Sequence, residues 1–165
     1  MSLLADITTS ALNPALALLP AHMDSLAARV QLLANGLQES RLTQRVQRVS
    51  GGGKGPARGL WQFERQGGVR GVLTHQQTAP LALKVCQARQ VSAVTSVVWA
   101  ELETDDVLAA AFARLYLFAD AAPLPPRGRP DAAWDCYLRT WRPGKPHPET
   151  WPAFYAQALG FVTGF

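Results

Sequence analysis

Apolar residues recur at helical spacing along most of the chain. One stripe with a period of about 3.6 residues runs from Leu26 to Leu37, and Asp24 or Ser25 precedes it as a candidate N-cap. The stripe continues towards Leu42, which places Glu39 near the end of this helix. The pattern therefore predicts a core helix whose last turn carries a carboxyl group.

The rest of the chain contains further segments with helical spacing. They are predicted to begin near Thr78, Ser92, Thr104, Ala132 and Pro148. The helix after Thr104 has two aspartates in its first turn and is strongly apolar through Phe118, so we expect it at the centre of the fold. Four prolines between Ala121 and Pro130 predict a loop before the next helix.

One stretch, from Val46 to Phe63, departs from the helical pattern. Five glycines lie within it, and its flanks offer at most a short hairpin. Because glycine lowers the cost of rearrangement, Gly51 to Arg58 is predicted to be a mobile flap. No alternating strand pattern or internal repeat occurs elsewhere. The sequence thus predicts a mainly α fold in a single domain, residues 1–165, with a short glycine-rich loop or hairpin.

Composition excludes several classes of protein. Hydrophobic residues make up 48% of the 165 positions and charged residues 17%, a balance typical of globular chains. No uncharged apolar stretch is long enough to cross a membrane, because Pro14 and Pro20 interrupt the most apolar run. The start lacks the basic segment of a secretory signal, so we expect synthesis in the cytoplasm without a signal peptide. The scattered cysteines and histidines imply no metal and no cofactor.

Positive charge is concentrated between residues 41 and 70. Seven basic residues and one acidic residue give this window a net charge of +6, whereas the remainder of the chain carries −2. Such a surface attracts anionic polymers, either nucleic acid or acidic cell-wall material, although a solvated arginine-rich surface has the same signature. Arg41, Arg45 and Arg48 can share one helical face, but neither interleaved aromatic residues nor a helix-turn-helix spacing accompanies them.

Glu39 is the one ionisable residue between Ala34 and Ser40. A carboxyl group in this position is either a solvent-facing helix residue or a partly buried acid with a raised pKa, as a general acid at neutral pH requires. Position alone favours the first of these two possibilities.

Three short motifs favour the second possibility. Glu39-Ser40 near a helix end, a glycine-rich loop, and then Gly-Leu-Trp-Gln at 59–62 resemble the Glu-Ser and Gly-Leu-Met-Gln motifs of soluble lytic transglycosylases and goose-type lysozymes, in the lysozyme-like superfamily. Residues 140–144, Thr-Trp-Arg-Pro-Gly, lie where these families carry Ala-Tyr-Asn-Ala-Gly. The resemblance is strongest over residues 25–145. It implies a lysozyme-like helical domain that cleaves the glycan strand of peptidoglycan.

The resemblance also implies a role for each matching residue. Glu39 corresponds to the catalytic acid that protonates the glycosidic oxygen between N-acetylmuramic acid and N-acetylglucosamine. Ser40 and Gln62 correspond to polar groups that support the site. Trp61 stands in place of methionine and is either a sugar-stacking residue or a core residue.

The third motif lacks a tyrosine that the families carry. Trp141 stands in its place and Arg142 in place of asparagine, so this position lacks the tyrosine hydroxyl that makes a hydrogen bond in these families. Tyr137, one helical turn earlier, is the candidate for supplying a hydroxyl instead.

The number of carboxyl groups separates two mechanisms. Hydrolysis usually requires two, whereas lytic transglycosylases use one because the substrate's own N-acetyl group and 6-hydroxyl replace the second. No Asp or Glu lies between Glu39 and Phe63. Glu64 follows Gly-Leu-Trp-Gln-Phe, where goose-type lysozymes have an aspartate, and is either a second carboxylate or the partner of a neighbouring arginine. The sequence favours a lytic transglycosylase over a hydrolytic lysozyme.

A lysozyme-like enzyme without an export signal resembles a bacteriophage or prophage product. We expect it to act at the bacterial cell wall, as an endolysin or a virion-associated enzyme, on peptidoglycan or a related chitin-type polymer. The alternative is a non-enzymatic helical module, either a virion structural protein or a nucleic-acid-binding protein, in which Glu39 is an ordinary surface residue.

Overall fold

A computed structural model describes residues 2–164 and shows a mainly α domain with one small sheet. The α-helices are α1 (Leu3–Ile7), α2 (Asn13–Ala17), α3 (Leu26–Ser40), α4 (Arg70–Thr74), α5 (Ala79–Arg89), α6 (Thr95–Glu101), α7 (Asp106–Phe118), α8 (Pro130–Trp141) and α9 (Trp151–Thr163). The strands are β1 (Val46–Arg48), β2 (Lys54–Arg58) and β3 (Phe63–Glu64). Two π-helical turns, Thr8–Leu12 and Arg65–Val69, and one 3₁₀ turn, Ala21–Met23, complete the elements. None of the helices described is long and apolar enough to span a membrane.

The two helices at the centre, α3 and α7, begin close to where the sequence predicts. Ser25 caps α3, because its hydroxyl accepts a hydrogen bond from the Ala28 amide at 3.1 Å. Asp105 caps α7 by accepting from the Leu108 amide at 3.0 Å, so this helix begins after Asp105 and not at Thr104. The apolar stripe of α3 is buried from Val30 onwards, whereas Leu26 remains 46% exposed.

The N-terminal segment is helical from Leu3 to Ala17, which the sequence analysis did not predict. Pro14 interrupts the apolar run there without ending the helix. The wider π turn Thr8–Leu12 comes directly before the first turn of α2, where Pro14 offers no amide hydrogen for the usual bond. The buried side chains of this segment pack on α7.

The glycine-rich stretch folds into an antiparallel sheet of order β1-β2-β3. Val46 pairs with Arg58 across the predicted hairpin, and Ala57 pairs with Glu64 on a third strand that was not predicted. Gly51 and Gly52 have positive φ angles and form the turn between β1 and β2.

The second half of the predicted mobile flap contacts the rest of the protein. Lys54 bonds the Glu103 carboxylate at 2.8 Å, and the Trp99 indole donates to the Pro56 carbonyl at 2.8 Å. Because β2 is fixed to the α6–α7 connection through these contacts, the part of the flap without such contacts is the turn at 51–53.

Candidate active site

Glu39 lies in the last turn of α3, where the chain reverses sharply towards the sheet. The helix ends at Arg41, whose φ is 57°, and Leu42 then folds its side chain back beneath the helix. A Cβ atom on Gly36 would clash with the Leu42 side chain, so any larger residue would force buried Leu42 to move. Glu39 is therefore held on a helix end that is fixed by packing.

Ser40 ties this helix end to the Gly-Leu-Trp-Gln segment. Its buried hydroxyl donates to the Leu60 carbonyl at 2.5 Å and accepts from the Leu42 amide at 3.1 Å. The Trp61 indole donates to the Leu32 carbonyl of α3 at 2.8 Å. The two motifs that the sequence analysis linked by resemblance are thus in direct contact, and Ser40 acts within the protein interior.

Trp61 does not offer a stacking face to a ligand. Its side chain is 1% exposed and packs in the core, which corrects the sugar-stacking assignment and supports the core alternative. Gln62 is partly exposed, with a φ of 54°, and its amide donates to the Gly59 carbonyl at 2.9 Å. This bond shapes the turn before β3.

Helix α8 brings two further candidates to the same place. The Tyr137 hydroxyl donates to Glu39 Oε1 at 2.6 Å, and the Trp141 indole donates to the Trp61 carbonyl at 2.9 Å. The Tyr137 ring stacks on Trp151, with ring centroids 5.5 Å apart and planes 18° apart. Tyr137 therefore supplies a hydroxyl to Glu39 from a position that its ring packing fixes.

The surroundings of Glu39 change its acidity. Burial raises the pKa of Glu39 to about 7, and the hydrogen bond from Tyr137 opposes this rise. Burial and the nearby Glu39 carboxylate raise the pKa of Tyr137 above its ordinary value, so the hydroxyl keeps its proton near neutrality. Glu39 is still partly exposed. Near neutral pH it can therefore hold a proton and give it to a bound molecule.

Glu64 and Arg142 lie at exposed positions. Glu64 ends β3 and, within residues 2–164, forms no ion pair, so the predicted pairing with an arginine is not observed. Arg142 follows α8 with a φ of 49°, and its guanidinium donates to the Arg139 carbonyl at 3.4 Å. The structure links Ser40, Trp61 and Trp141 through bonds that join the end of α3, the Gly-Leu-Trp-Gln segment and α8, and Tyr137 bonds Glu39 itself. Neither Glu64 nor Arg142 bonds to Glu39 within residues 2–164.

An aromatic cluster beside the Gly-Leu-Trp-Gln segment was missed in the sequence. Tyr116 of α7 packs edge-on against Trp141 at 5.2 Å and against Phe63 at 5.2 Å. Tyr116 and Trp141 are both partly exposed, so they offer aromatic surface of the kind that sugars stack on. The one sequence signal for Tyr116 was its hydroxyl group in a strongly apolar helix.

Part of the basic window is neutralised by carboxylates from the α6–α7 region. Arg45 pairs with Asp106 at 2.7 Å, and Lys54 and Arg58 pair with Glu103 at 2.8 and 3.5 Å. Four arginines of the window form no ion pair in the part of the chain that the structure describes. They are Arg41, Arg48, Arg65 and Arg70.

Two cavities, of about 400 and 270 Å³, are lined by residues other than Glu39 and its partners.

Comparisons with protein families, with curated proteins and with solved structures find no match for this chain. The features that bear on function are the geometry around Glu39 and the three sequence motifs.

Proposed function

We propose that this protein cleaves the glycan strand of peptidoglycan between N-acetylmuramic acid and N-acetylglucosamine, with Glu39 as the general acid. The observation that carries the proposal is the Glu39 carboxyl itself. It is partly exposed at a helix end, its pKa is raised to about 7 by burial, and the Tyr137 hydroxyl holds one of its oxygens at 2.6 Å. A structural carboxylate more often has a cationic partner, because an unpaired buried charge is costly.

The hydrogen bond from Tyr137 determines which oxygen can act. Tyr137 donates to Oε1, and Oε2 has no hydrogen-bond partner among residues 2–164. Oε2 is therefore the atom that carries the proton and delivers it to the glycosidic oxygen as the bond to the sugar C1 breaks. The carboxylate left behind keeps the Tyr137 hydrogen bond.

A single carboxylate favours the lytic transglycosylase over the lysozyme. The rise in the pKa of Glu39 comes from burial, with no contribution from a second carboxylate, and Glu64 forms no bond to it. In the transglycosylase reaction, the substrate's N-acetyl group stabilises the positive charge at C1. The 6-hydroxyl oxygen then bonds to C1, and its proton returns to Glu39.

Two features of the surface suit a wall polymer. Tyr116 and Trp141, the latter one turn of α8 after Tyr137, offer aromatic surface for sugar rings. The arginines without an ion pair within residues 2–164, among them Arg41 directly after α3, favour an anionic chain. Peptidoglycan has sugar rings for the aromatic surface and carboxylates for the arginines, whereas an uncharged chitin-type polymer has only the sugar rings. The protein would then be a phage or prophage enzyme that acts at the bacterial cell wall.

The test compares release of soluble fragments from purified peptidoglycan by the wild type and by Glu39→Gln. Loss of the general acid is expected to lower the rate by ~10²–10⁴-fold. Glu101→Gln, on the exposed surface of α6, is the matched control and is expected to retain activity. Equal rates for wild type and Glu39→Gln, with matching circular dichroism, would remove Glu39 from the mechanism.

The four unpaired arginines also support a second candidate, a non-enzymatic module that binds nucleic acid. Such a module would bind DNA with an affinity that falls with salt at a log–log slope of about −0.9 per phosphate contact. It would also leave peptidoglycan intact. Salt-dependent DNA binding, together with no peptidoglycan cleavage by either the wild type or Glu39→Gln, would favour the second candidate.

A further inference from the structure

Three polar side chains occupy successive turns of α3 on the face towards α8. Gln31, Asn35 and Glu39 are four residues apart, so they lie one above another on the helix. Gln31 contacts the Ala133 carbonyl of α8 at 3.0 Å, and Glu39 contacts Tyr137 one turn further along α8. Asn35 lies between these two contacts and is completely buried, with 0% of its surface exposed.

The hydrogen-bond pattern fixes the orientation of both amides. The Ala133 carbonyl is an acceptor, so Gln31 must present its NH₂ group to it. The same Gln31 nitrogen bonds Asn35 at 2.9 Å, which requires Asn35 to present Oδ1. Asn35 Nδ2 therefore points away from Gln31, and it has no hydrogen-bond partner within residues 2–164.

A buried amide donor without a partner is costly in a folded protein. The next side chain on this face beyond Asn35 is Glu39, one helical turn away. Among the residues described, the titratable group that contacts the Glu39 carboxyl from a packed neighbour is Tyr137 of α8. When Glu39 has given up its proton, its carboxylate can accept a second hydrogen bond, and Asn35 Nδ2 is a buried donor without a partner one helical turn away.

We infer that Asn35 is a positioning residue, which donates from Nδ2 to the Glu39 carboxylate after proton transfer and is itself oriented by Gln31. A small rotation of the Glu39 side chain closes the link. Tyr137 and Asn35 then hold the ionised carboxylate from two sides until it recovers its proton. The catalytic part of this inference rests on the proposed general-acid role of Glu39, whereas the coupling between the two side chains does not.

The experiment follows the carboxyl carbon signal of Glu39 by NMR through a pH titration, in the wild type and in Asn35→Leu. Loss of the donor is expected to raise the pKa of Glu39 by about one unit. The high-pH limb of the pH–rate profile should shift to higher pH by the same amount as the pKa of Glu39. Asn35→Ala, which adds no bulk, repeats the measurement should Asn35→Leu fail to fold. Thr140→Val removes another buried polar group of this region and is expected to leave the pKa of Glu39 unchanged.

An unchanged pKa of Glu39 in the folded Asn35 variants would overturn the inference. An equal rise in Thr140→Val would do so too, because it would indicate general loosening and not a lost donor. Failure of the wild type to cut peptidoglycan, with the rise still present in the Asn35 variants, would contradict the proposed function alone.

Discussion

The hairpin region, β1 and β2 with their contacts to Trp99 and Glu103, differs from the region around Glu39 in how charged side chains are paired. In the hairpin region, Arg58 lies 4.4 Å above the Trp99 ring and 3.5 Å from Glu103, and the bond from Lys54 holds the pKa of Glu103 below its usual value. Among residues 2–164, Glu39 has no cationic partner, and the neutral Tyr137 hydroxyl holds it. The charges of the hairpin region compensate one another, whereas a partly buried carboxyl group without a cation lowers stability when it ionises, as carboxyl groups at functional sites often do.

This difference cannot be read from charge density along the chain. The window from residue 41 to 70 carries a net charge of +6, yet three of its seven basic side chains have carboxylate partners in the structure. Glu39 contributed a single negative charge and proves to be the most strongly perturbed carboxyl group among those described. A carboxyl group without a cationic partner among the described residues is therefore more informative here than a high local density of charge.

The largest expected effect on stability comes from Glu39→Gln. The pKa of Glu39 is about 7 in the folded protein against 4.5 for the free side chain, so the wild type loses stability as pH rises through this window. The variant lacks this loss. It should exceed the wild type in unfolding free energy by about 3 kcal/mol above pH 8 and by much less near pH 4.

Urea unfolding at the two pH values measures this difference. The exposed control Glu101→Gln is expected to stay within about 0.5 kcal/mol of the wild type at both. A constant difference between wild type and Glu39→Gln would show that Glu39 ionises normally, and the contrast with the hairpin region would disappear.

Arg58→Met tests the hairpin side of the comparison. The variant keeps an aliphatic stem but loses the ion pair, the stacking on Trp99 and the hydrogen bonds to the Gly55 and Ala57 carbonyls. We expect a loss of about 1–3 kcal/mol in thermal or urea unfolding, with the pH–rate profile unchanged. Arg48→Met, at an exposed arginine without an ion pair, should change stability by less than about 0.5 kcal/mol. A shifted pH–rate profile for Arg58→Met would link the two regions.

Tyr137→Phe tests the neutral partner of Glu39. The hydroxyl lowers the pKa of Glu39, so its removal should raise that pKa and move the upper limb of the pH–rate profile up by about one pH unit. Phenylalanine keeps the ring that stacks on Trp151. Tyr155→Phe, which loses only its bond to the Gly128 amide, should leave the limb in place. An unmoved limb in Tyr137→Phe would show that Glu39 does not control it.

The smallest effect is expected from Glu64→Gln. An exposed carboxylate outside the mechanism should change the cleavage rate by no more than about twofold. Mass spectrometry of digests from both proteins should then show anhydro-muramic ends. Hydrated products, combined with a loss close to that of Glu39→Gln, would make Glu64 a second catalytic carboxylate and the enzyme a hydrolytic lysozyme.

Much of the fold could be predicted because it depends on local patterns. The apolar stripe to Leu37, the cap at Ser25 and the apolar helix to Phe118 are visible as periodicity and capping chemistry, and the structure confirms them. The helix from Leu3 to Ala17 escaped prediction because Pro14 normally ends a helix, and the π turn that accommodates it leaves no clear sequence signal. The third strand is two residues long, too short for a period to appear.

The sequence by itself determined the mainly α class, the place of Glu39 at a helix end and the motifs that surround it. The tertiary structure alone decided which side chains meet. The core position of Trp61, the Tyr137 bond to Glu39 and the spare donor of Asn35 each depend on residues 29 to 102 positions apart. A pKa depends on burial and on such distant partners, so the acidity of Glu39 could be suspected from the sequence but was fixed only when α3, α8 and the sheet packed together.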